Sequence, residues 1–388
     1  MLIPNTGTGK TWVFTGGAKA AGSFAEDGCF RNCAGLFEEV IRWNMGWESV
    51  ESRERFVINT ARPGLTVLDI VRDFQSRAAC YGPAALVYLS GQEDRSLPED
   101  VFKQALCELE NKAQEIGAGF LWLPYEGDSA GMADAVLREV GAQSSLITSH
   151  DRIRFQLVPT SETFEESGKL ILKEKPMQWL FIGDSITHGA LHTRGADSLP
   201  QLWEKYLKEG LGRMDDIVIN TAVSGAMAKD FLERLDIRYL PYAAADVVIA
   251  MFGTNDCCDP DTGPELFYGR MLRIAELVHA NNSQFVIRTP QPVKPEAGER
   301  AETMKAFVAS ARKAAQESGA ILVDHDRNFN KLLKENPAGY DACMSDAIHP
   351  NAQGQYRMFR EMVYNVGLAK DVPMIRQTCL EHSSSTPK

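Results

Sequence analysis

Short unbroken apolar runs alternate with longer amphipathic stretches in the second half of the chain, and this alternation constrains the fold more than any other feature. The runs predict buried strands at Trp179–Ile182, Asp216–Asn220, Asp246–Met251, Gln284–Thr289 and Ala320–Asp324. The intervening stretches predict helices at Leu199–Gly210, Lys229–Leu235, Glu265–Asn281 and Arg300–Ser318. Strands without polar alternation are buried on both faces, so the pattern predicts an α/β fold whose parallel sheet is covered by helices on both sides.

The first half of the chain resembles the second. Trp12–Gly22 aligns without gaps on Trp179–Gly189, and the glycine after the strand and the closing glycine match in both. Further apolar runs and glycine turns follow in the same order, which predicts two related copies of one α/β unit. Helices of the first half are predicted at Ala34–Asn44, Val67–Ser76, Glu99–Ile116 and Ala130–Val140.

Two copies suggest two domains, a number that also suits a chain of 388 residues. We expect one domain at 1–165, a second at 170–375 and a disordered tail at 376–388. The β-like runs Leu146–Pro159 and Lys169–Lys175 lie near the expected junction.

Charge and composition exclude several classes of partner. The net charge is −11 and there is no basic block, which argues against nucleic acid and anionic membranes. The apolar runs are shorter than the roughly 18 residues of a membrane span. Eight cysteines without a CxxC pair favour free thiols, and no signal peptide is recognisable at the N-terminus. We therefore expect a cytoplasmic protein, with a removed leader as the open alternative.

Ser185 follows the first strand of the second half, at the edge where open α/β sheets bind ligands. A hydrolytic serine needs a base, and His349 can supply an imidazole of suitable pKa. Asp346, three residues before His349, can fix the tautomer and orientation of that imidazole. Gly225 can offer a backbone N–H and Asn255 a side-chain N–H to a developing oxyanion.

These residues lie in four motifs that together resemble the SGNH hydrolase superfamily, also called the GDSL-type esterases. The motifs are Gly183–Ser185, Val223–Ala226, Gly253–Asp256 and Asp346–Pro350, and they occur in the family order. The resemblance implies a flavodoxin-like three-layer α/β/α sandwich and ester hydrolysis at Ser185, with His349 and Asp346 completing a triad. It also implies that the oxyanion hole consists of the Ser185 and Gly225 N–H groups and the Asn255 amide, and that no metal or organic cofactor is needed.

In the first copy, Gly17 and Ala18 stand where Asp184 and Ser185 stand in the second. The first copy therefore lacks the nucleophile, and we expect a degenerate domain that serves in binding, packing or oligomerisation. A homo-oligomer is possible.

The predicted function is hydrolysis of small acyl esters, above all O-acetyl groups on a carbohydrate, through an acyl-enzyme. The substrate is then a small-molecule or oligosaccharide ester. Two alternatives stay open: a lysophospholipase or thioesterase of the same family, and a sugar-binding protein without catalysis.

Several other patterns favour structural roles over functional ones. His188 and His192 have the spacing of a metal pair but lack an evident third ligand, so a pocket rim or a solvated helix face is favoured. Asp256, Asp259 and Asp261 lack the later ligands of a calcium loop. Cys257 and Cys258 are interpreted as packed thiols and Asp184 as a turn residue.

Overall fold

The computed structural model describes residues 11–23, 28–44, 53–141 and 164–368. The predicted β-like run Leu146–Pro159 and the predicted disordered tail 376–388 lie outside these residues. By density of contacts the chain divides into two units, residues 1–153 with 204–219 and residues 154–203 with 220–388.

The first sheet has four strands in the order β2-β1-β3-β4. Its strands are β1 (Thr11–Gly16), β2 (Phe56–Asn59), β3 (Ala85–Ser90) and β4 (Gly119–Pro124). All three pairings are parallel, so each strand reaches the next through a crossover connection. Every residue of β1, β2 and β3 is buried, as expected for strands that are covered on both faces.

The second sheet has five strands in the order β6-β5-β7-β8-β9. Its strands are β5 (Gln178–Gly183), β6 (Ile217–Asn220), β7 (Val247–Met251), β8 (Gln284–Arg288) and β9 (Ile321–Val323). The pairings of β5 with β7, β7 with β8 and β8 with β9 are parallel. All five lie within two residues of their predicted positions.

Helices fill the connections in both halves. Those of the first half are Ala18–Ala21, Cys33–Glu39, Val67–Arg72, Phe74–Arg77, Glu99–Glu115 and Ser129–Glu139, with a π-helical turn at Val40–Asn44. Those of the second half are Ser185–His188, Leu199–Lys205, Ala228–Glu233, Leu235–Arg238, Pro264–Ala280, Glu299–Ser318, His325–Glu335, Pro337–Asp341 and Ala352–Asn365, with a π-helical turn at Tyr206–Gly210. The predicted α/β fold with parallel sheets is confirmed.

The two sheets repeat the same local structure at equivalent positions. Gly16 and Gly183 end β1 and β5 with the same φ of 152°, a conformation that only glycine adopts readily. A Cβ on Gly16 would lie 2.3 Å from the Leu89 carbonyl oxygen, and one on Gly183 would lie 2.5 Å from that of Met251. Both glycines are therefore required by the backbone of the neighbouring strand.

Side-chain hydrogen bonds repeat as well. Asn59 accepts a hydrogen bond from Ala61 N at 3.1 Å, and Asn220 accepts one from Ala222 N at 3.1 Å. One aspartate after the third strand of each copy gives a second equivalent pair, Asp94 in the first copy and Asp256 in the second. Asp94 accepts from the N–H groups of Val67 and Gly91, and Asp256 accepts from those of Ala228 and Gly253. The prediction of two related copies is confirmed by this shared framework.

Some expectations of the local structure were wrong. Lys169–Lys175 forms no strand, and its backbone is irregular. β4 and the helices His325–Glu335 and Ala352–Asn365 were not predicted. Cys80, Cys107, Cys257 and Cys258 have free thiols as expected, whereas Cys29 is disulfide-bonded, which the spacing of the cysteines did not indicate. Among the described residues, no helix combines the length and apolar character needed to cross a membrane.

Candidate active site

The backbone around Ser185 changes abruptly from strand to helix. β5 ends at Gly183, and Asp184 caps the helix Ser185–His188 by accepting a hydrogen bond from Ile186 N at 3.0 Å. Asp184 is fully buried, which raises the pKa of its carboxyl to about 7, although the Ile186 N–H opposes this. The interpretation of Asp184 as a turn residue fits this capping role. The turn places Ser185 at the carboxyl end of β5, with 8% of its surface exposed.

The structure brings Ser185, His349 and Asp346 into one hydrogen-bonded chain. Ser185 Oγ lies 2.9 Å from His349 Nε2. His349 Nδ1 lies 2.9 Å from Asp346 Oδ2 and 3.1 Å from Oδ1. With an N–H on Nδ1, the imidazole presents the Nε2 lone pair to the serine hydroxyl. This arrangement can remove a proton from Ser185.

The loop that carries the acid and the imidazole is fixed by its own backbone. Asp346 Oδ1 accepts hydrogen bonds from Ile348 N and His349 N, both at 2.7 Å. Gln291 Nε2 donates to the Ile348 carbonyl oxygen at 2.7 Å, and Lys294 N donates to that of Ala347 at 2.8 Å. The spacing Asp-x-x-His therefore has a local reason, because the carboxylate both holds the turn and faces the imidazole.

Electrostatics keep this pair in the required protonation states. Burial lowers the pKa of His349 below its ordinary value, and the Asp346 carboxylate only partly opposes this. Partial burial alone would raise the pKa of Asp346. The N–H groups of His349 and Ile348, together with the imidazole, outweigh burial and hold that pKa below its ordinary value. At neutral pH the imidazole is thus a neutral base beside an ionised carboxylate.

The two expected oxyanion donors lie after β6 and β7. Gly225 is exposed and has a φ of 82°, so the turn after β6 requires glycine. Asn255 Nδ2 donates one hydrogen bond to the Ala226 carbonyl oxygen at 3.1 Å, which ties the two turns together. Within the part of the chain that the structure describes, the second N–H of this amide has no hydrogen-bond partner and can donate to a ligand. Asp256 holds the turn after β7 through Gly253 N and Ala228 N, and burial raises the pKa of this carboxyl to about 6.

His192 belongs to the site in a way that the sequence did not indicate. Its ring stacks on that of His349 with centroids 3.7 Å apart and planes inclined by 6°. His192 Nδ1 also lies 3.4 Å from Asp346 Oδ2. His192, Asp346 and His349 have ligand atoms within 4.8 Å of one another and form the metal-type cluster found among the described residues. His188 is not in that cluster, because it is buried and its Nδ1 lies 2.8 Å from Ser224 Oγ.

The acidic and thiol groups near Asn255 have structural partners. Asp259 bonds to Lys229 Nζ at 2.6 Å, and this contact, together with the Thr262 hydroxyl, lowers the pKa of Asp259 to about 2. The sulfur atoms of Cys257 and Cys258 are 3.9 Å apart and form no disulfide. Calcium and redox roles therefore gain no support here.

A buried polar network that begins at Arg288, the last residue of β8, was also not predicted from the sequence. Arg288 is fully buried, and its Nε donates to His325 Nε2 at 3.0 Å. His325 Nδ1 in turn lies 2.8 Å from Glu361 Oε2. Burial lowers the pKa of Arg288 to about 10, and the Asp184 carboxylate opposes this shift. Arg288 Nη1 also reaches Thr187 Oγ1 at 3.3 Å, so the network contacts the helix that begins at Ser185.

Comparison with known proteins identifies the second half. Residues 181–357 match the sequence model of the GDSL-like Lipase/Acylhydrolase family. These residues are therefore similar to the GDSL-type esterases of the SGNH hydrolase superfamily. The match begins in β5 and ends in the helix Ala352–Asn365, so it contains Ser185, Gly225, Asn255, Asp346 and His349.

Other matches to the chain are partial or distant. An uncharacterized protein of Mycoplasma pneumoniae is 38% identical over 117 residues, which is 29% of this chain and 13% of that protein. This chain thus spans only a small part of that relative. An acetylxylan esterase from Geobacillus stearothermophilus is 20% identical, with 53% of this chain and 97% of that chain covered and a TM-score of 0.44. An α/β hydrolase from the metagenome of Lake Arreo is 20% identical, with 50% and 97% covered and a TM-score of 0.44. Similarity at this level assigns no substrate.

Proposed function

We propose that this protein is a serine esterase that works through an acyl-enzyme on Ser185. The observation that carries the proposal is the continuous hydrogen-bonded chain from Ser185 through His349 to Asp346. It lies in a domain of a family of acylhydrolases, at the carboxyl edge of a parallel sheet. We assign this catalytic domain to residues 170–375 and a degenerate copy to residues 1–165.

In the proposed mechanism His349 Nε2 removes the hydroxyl proton while Ser185 Oγ attacks the ester carbonyl carbon. The negative oxygen of the tetrahedral intermediate accepts hydrogen bonds from Ser185 N, Gly225 N and the Asn255 amide. His349 then donates its proton to the leaving alcohol, which leaves an acyl group on Ser185. Water, deprotonated by the same imidazole, releases the acid and restores the enzyme.

The substrate proposal is a short acyl ester, most specifically an O-acetyl group on a carbohydrate. The small number of exposed large apolar side chains supports a small acyl group over a lipid. Among the large apolar side chains that the described residues expose, Leu191 alone is a chain neighbour of a site residue. A long acyl chain needs a contiguous apolar groove, which one exposed leucine does not provide. A lysophospholipase or thioesterase activity is the alternative.

The identity of the nucleophile is tested with Ser185→Ala. The kcat for a short acetyl ester is expected to fall by about 10⁴ or more, because the reaction loses its covalent route. Ser345→Ala is the matched control, since this exposed serine lies beside the same loop but outside the hydrogen-bonded chain. Unchanged turnover in Ser185→Ala would refute the proposed mechanism, because hydrolysis would then proceed without the Ser185 hydroxyl.

The substrate class is tested by measuring kcat/KM on acetylated oligosaccharides, lysophospholipids and acyl-thioesters of increasing chain length. We expect acetyl release from the glycans to be fastest and activity to fall as the acyl chain lengthens. Activity that rises with chain length would replace the proposed substrate by a lipid or thioester.

A further inference from the structure

The proposed oxyanion hole has a counterpart in the first unit. In the catalytic copy the donors follow β5, β6 and β7, at Ser185, Gly225 and Asn255. The shared framework fixes the equivalent positions, because Gly16 matches Gly183, Asn59 matches Asn220 and Asp94 matches Asp256. By this correspondence the equivalent residues of the first copy are Ala18, Gly64 and Glu93.

The Glu93 carboxylate lies between the backbone N–H groups of Ala18 and Gly64. Its Oε1 atom accepts a hydrogen bond from Ala18 N at 2.7 Å and a longer one from Gly64 N at 3.4 Å. These two N–H groups correspond to the donors that Ser185 and Gly225 are proposed to offer to a substrate oxyanion. The side chain that should complete the hole as a third donor has instead become a carboxylate, which can only accept.

The neighbouring glycine supplies the space for this carboxylate. Gly17 stands where Asp184 stands in the catalytic copy, and a Cβ on Gly17 would lie 2.2 Å from Glu93 Oε2 and 2.3 Å from its Cδ. The backbone of Gly17 has φ −82° and ψ −157°, which any residue adopts without strain. A side chain at position 17 would thus displace the Glu93 carboxylate, although the conformation of the chain would tolerate one.

We infer that the first unit is an inactive copy whose oxyanion hole is permanently filled by its own Glu93 carboxylate. Three differences from the catalytic copy act together. Ala18 removes the nucleophile, Gly17 removes the side chain at the Asp184 position, and Glu93 replaces an amide donor by an internal anion. Charge-assisted hydrogen bonds are stronger than neutral ones, so the carboxylate locks the turns after β1, β2 and β3 to one another. The name oxyanion hole rests on the proposed function. The hydrogen bonds of the Glu93 carboxylate to Ala18 N and Gly64 N do not depend on that function.

The inference is tested by Glu93→Ala in the full chain, followed by calorimetry. We expect the melting temperature of the transition that involves the first unit to fall by about 4 °C or more, from the loss of hydrogen bonds to a charged group. Formate, a free carboxylate of the right size, should restore at least half of this shift in Glu93→Ala and leave the wild type unchanged. Glu126→Ala is the control, because this carboxylate is exposed at the same edge of the sheet.

A double-mutant cycle gives a second readout. Gly17→Ala displaces the Glu93 carboxylate, so it should lower the melting temperature of the wild type. In the Glu93→Ala background the same substitution should change the melting temperature little. If Glu93→Ala does not accumulate as folded protein, Glu93→Ser, which also vacates the space beside Gly17, takes its place in the cycle. Additive effects of the two substitutions, together with no response to formate, would overturn the inference. Both outcomes are independent of ester hydrolysis, so failure here is distinguishable from failure of the proposed function.

Discussion

At the scale of single residues, the state of His349 decides when the site can work. Only the neutral imidazole can accept the Ser185 proton, and burial lowers its pKa below the ordinary value of 6.5. Activity therefore appears as pH rises through a value below 6.5. A pH profile of kcat/KM on an acetyl ester is expected to show this acid limb. A limb centred well above 6.5 would contradict the assigned environment of His349.

Asp346 raises the pKa of His349, and its removal should therefore move the acid limb to still lower pH. We expect Asp346→Asn to lower kcat by about 10² to 10⁴, because the imidazole loses its preferred tautomer. The shift of the limb separates this electrostatic role from a loss of folding, which would lower activity equally at every pH.

Asn255 is predicted to act on the transition state. Asn255→Ala should lower kcat by about 10² to 10³ and change KM little, because the oxyanion needs the donor more than the bound substrate does. The exposed Asn330→Ala, on the helix His325–Glu335, serves as the control and should leave both constants unchanged. A change confined to KM would assign Asn255 to substrate binding.

The site residues that could be predicted from the sequence are those that lie within a recognisable local motif. Ser185 follows a strand and a glycine, and His349 follows Asp346 by one turn, so local pattern sufficed for both. His192 was noticed only for its spacing from His188, and its stacking on His349 was not predicted because the two positions are far apart in the chain. The Arg288, His325 and Glu361 network was missed for the same reason, since nothing adjacent to these residues marks them as buried partners.

At the scale of elements, the junction of β5 with its helix is the most constrained part of the fold. Gly183 has a positive φ, and a Cβ there would meet the Met251 carbonyl oxygen. We expect Gly183→Ala to destabilise its unit by at least about 2 kcal/mol in urea unfolding. The matched control is Gly269→Ala, within the helix Pro264–Ala280 and facing open space, which should be neutral or stabilising by up to about 1 kcal/mol. Equal effects of the two substitutions would contradict this account of the junction.

Strands were predicted better than helices for a physical reason. A parallel strand buried on both faces is a continuous apolar run, which is visible in the sequence. The helix Ala352–Asn365 is instead buried over nearly its whole length with polar residues among its buried positions, so its burial does not follow the apolar pattern of the sequence. β4 alternates in burial and carries exposed Trp122, and no glycine turn of the shared pattern marks it.

At the scale of the whole molecule, the chain contains two related α/β copies, and only the second carries the proposed active site. The framework of glycine, asparagine and aspartate is kept in both copies, whereas the groups that do chemistry are kept in one. Folding and catalysis thus depend on different residues of the same unit, which is why a copy can lose its nucleophile and retain its sheet.

Labelling with a reactive phosphonate ester, read by intact mass and peptide mapping, tests this central claim most directly. Such a reagent phosphonylates an activated serine and mimics the tetrahedral intermediate. The account predicts one adduct per chain, located on Ser185 and absent from His349→Ala. A stable adduct on a residue of the first copy, or full ester hydrolysis by a protein whose Ser185 stays unlabelled, would contradict it.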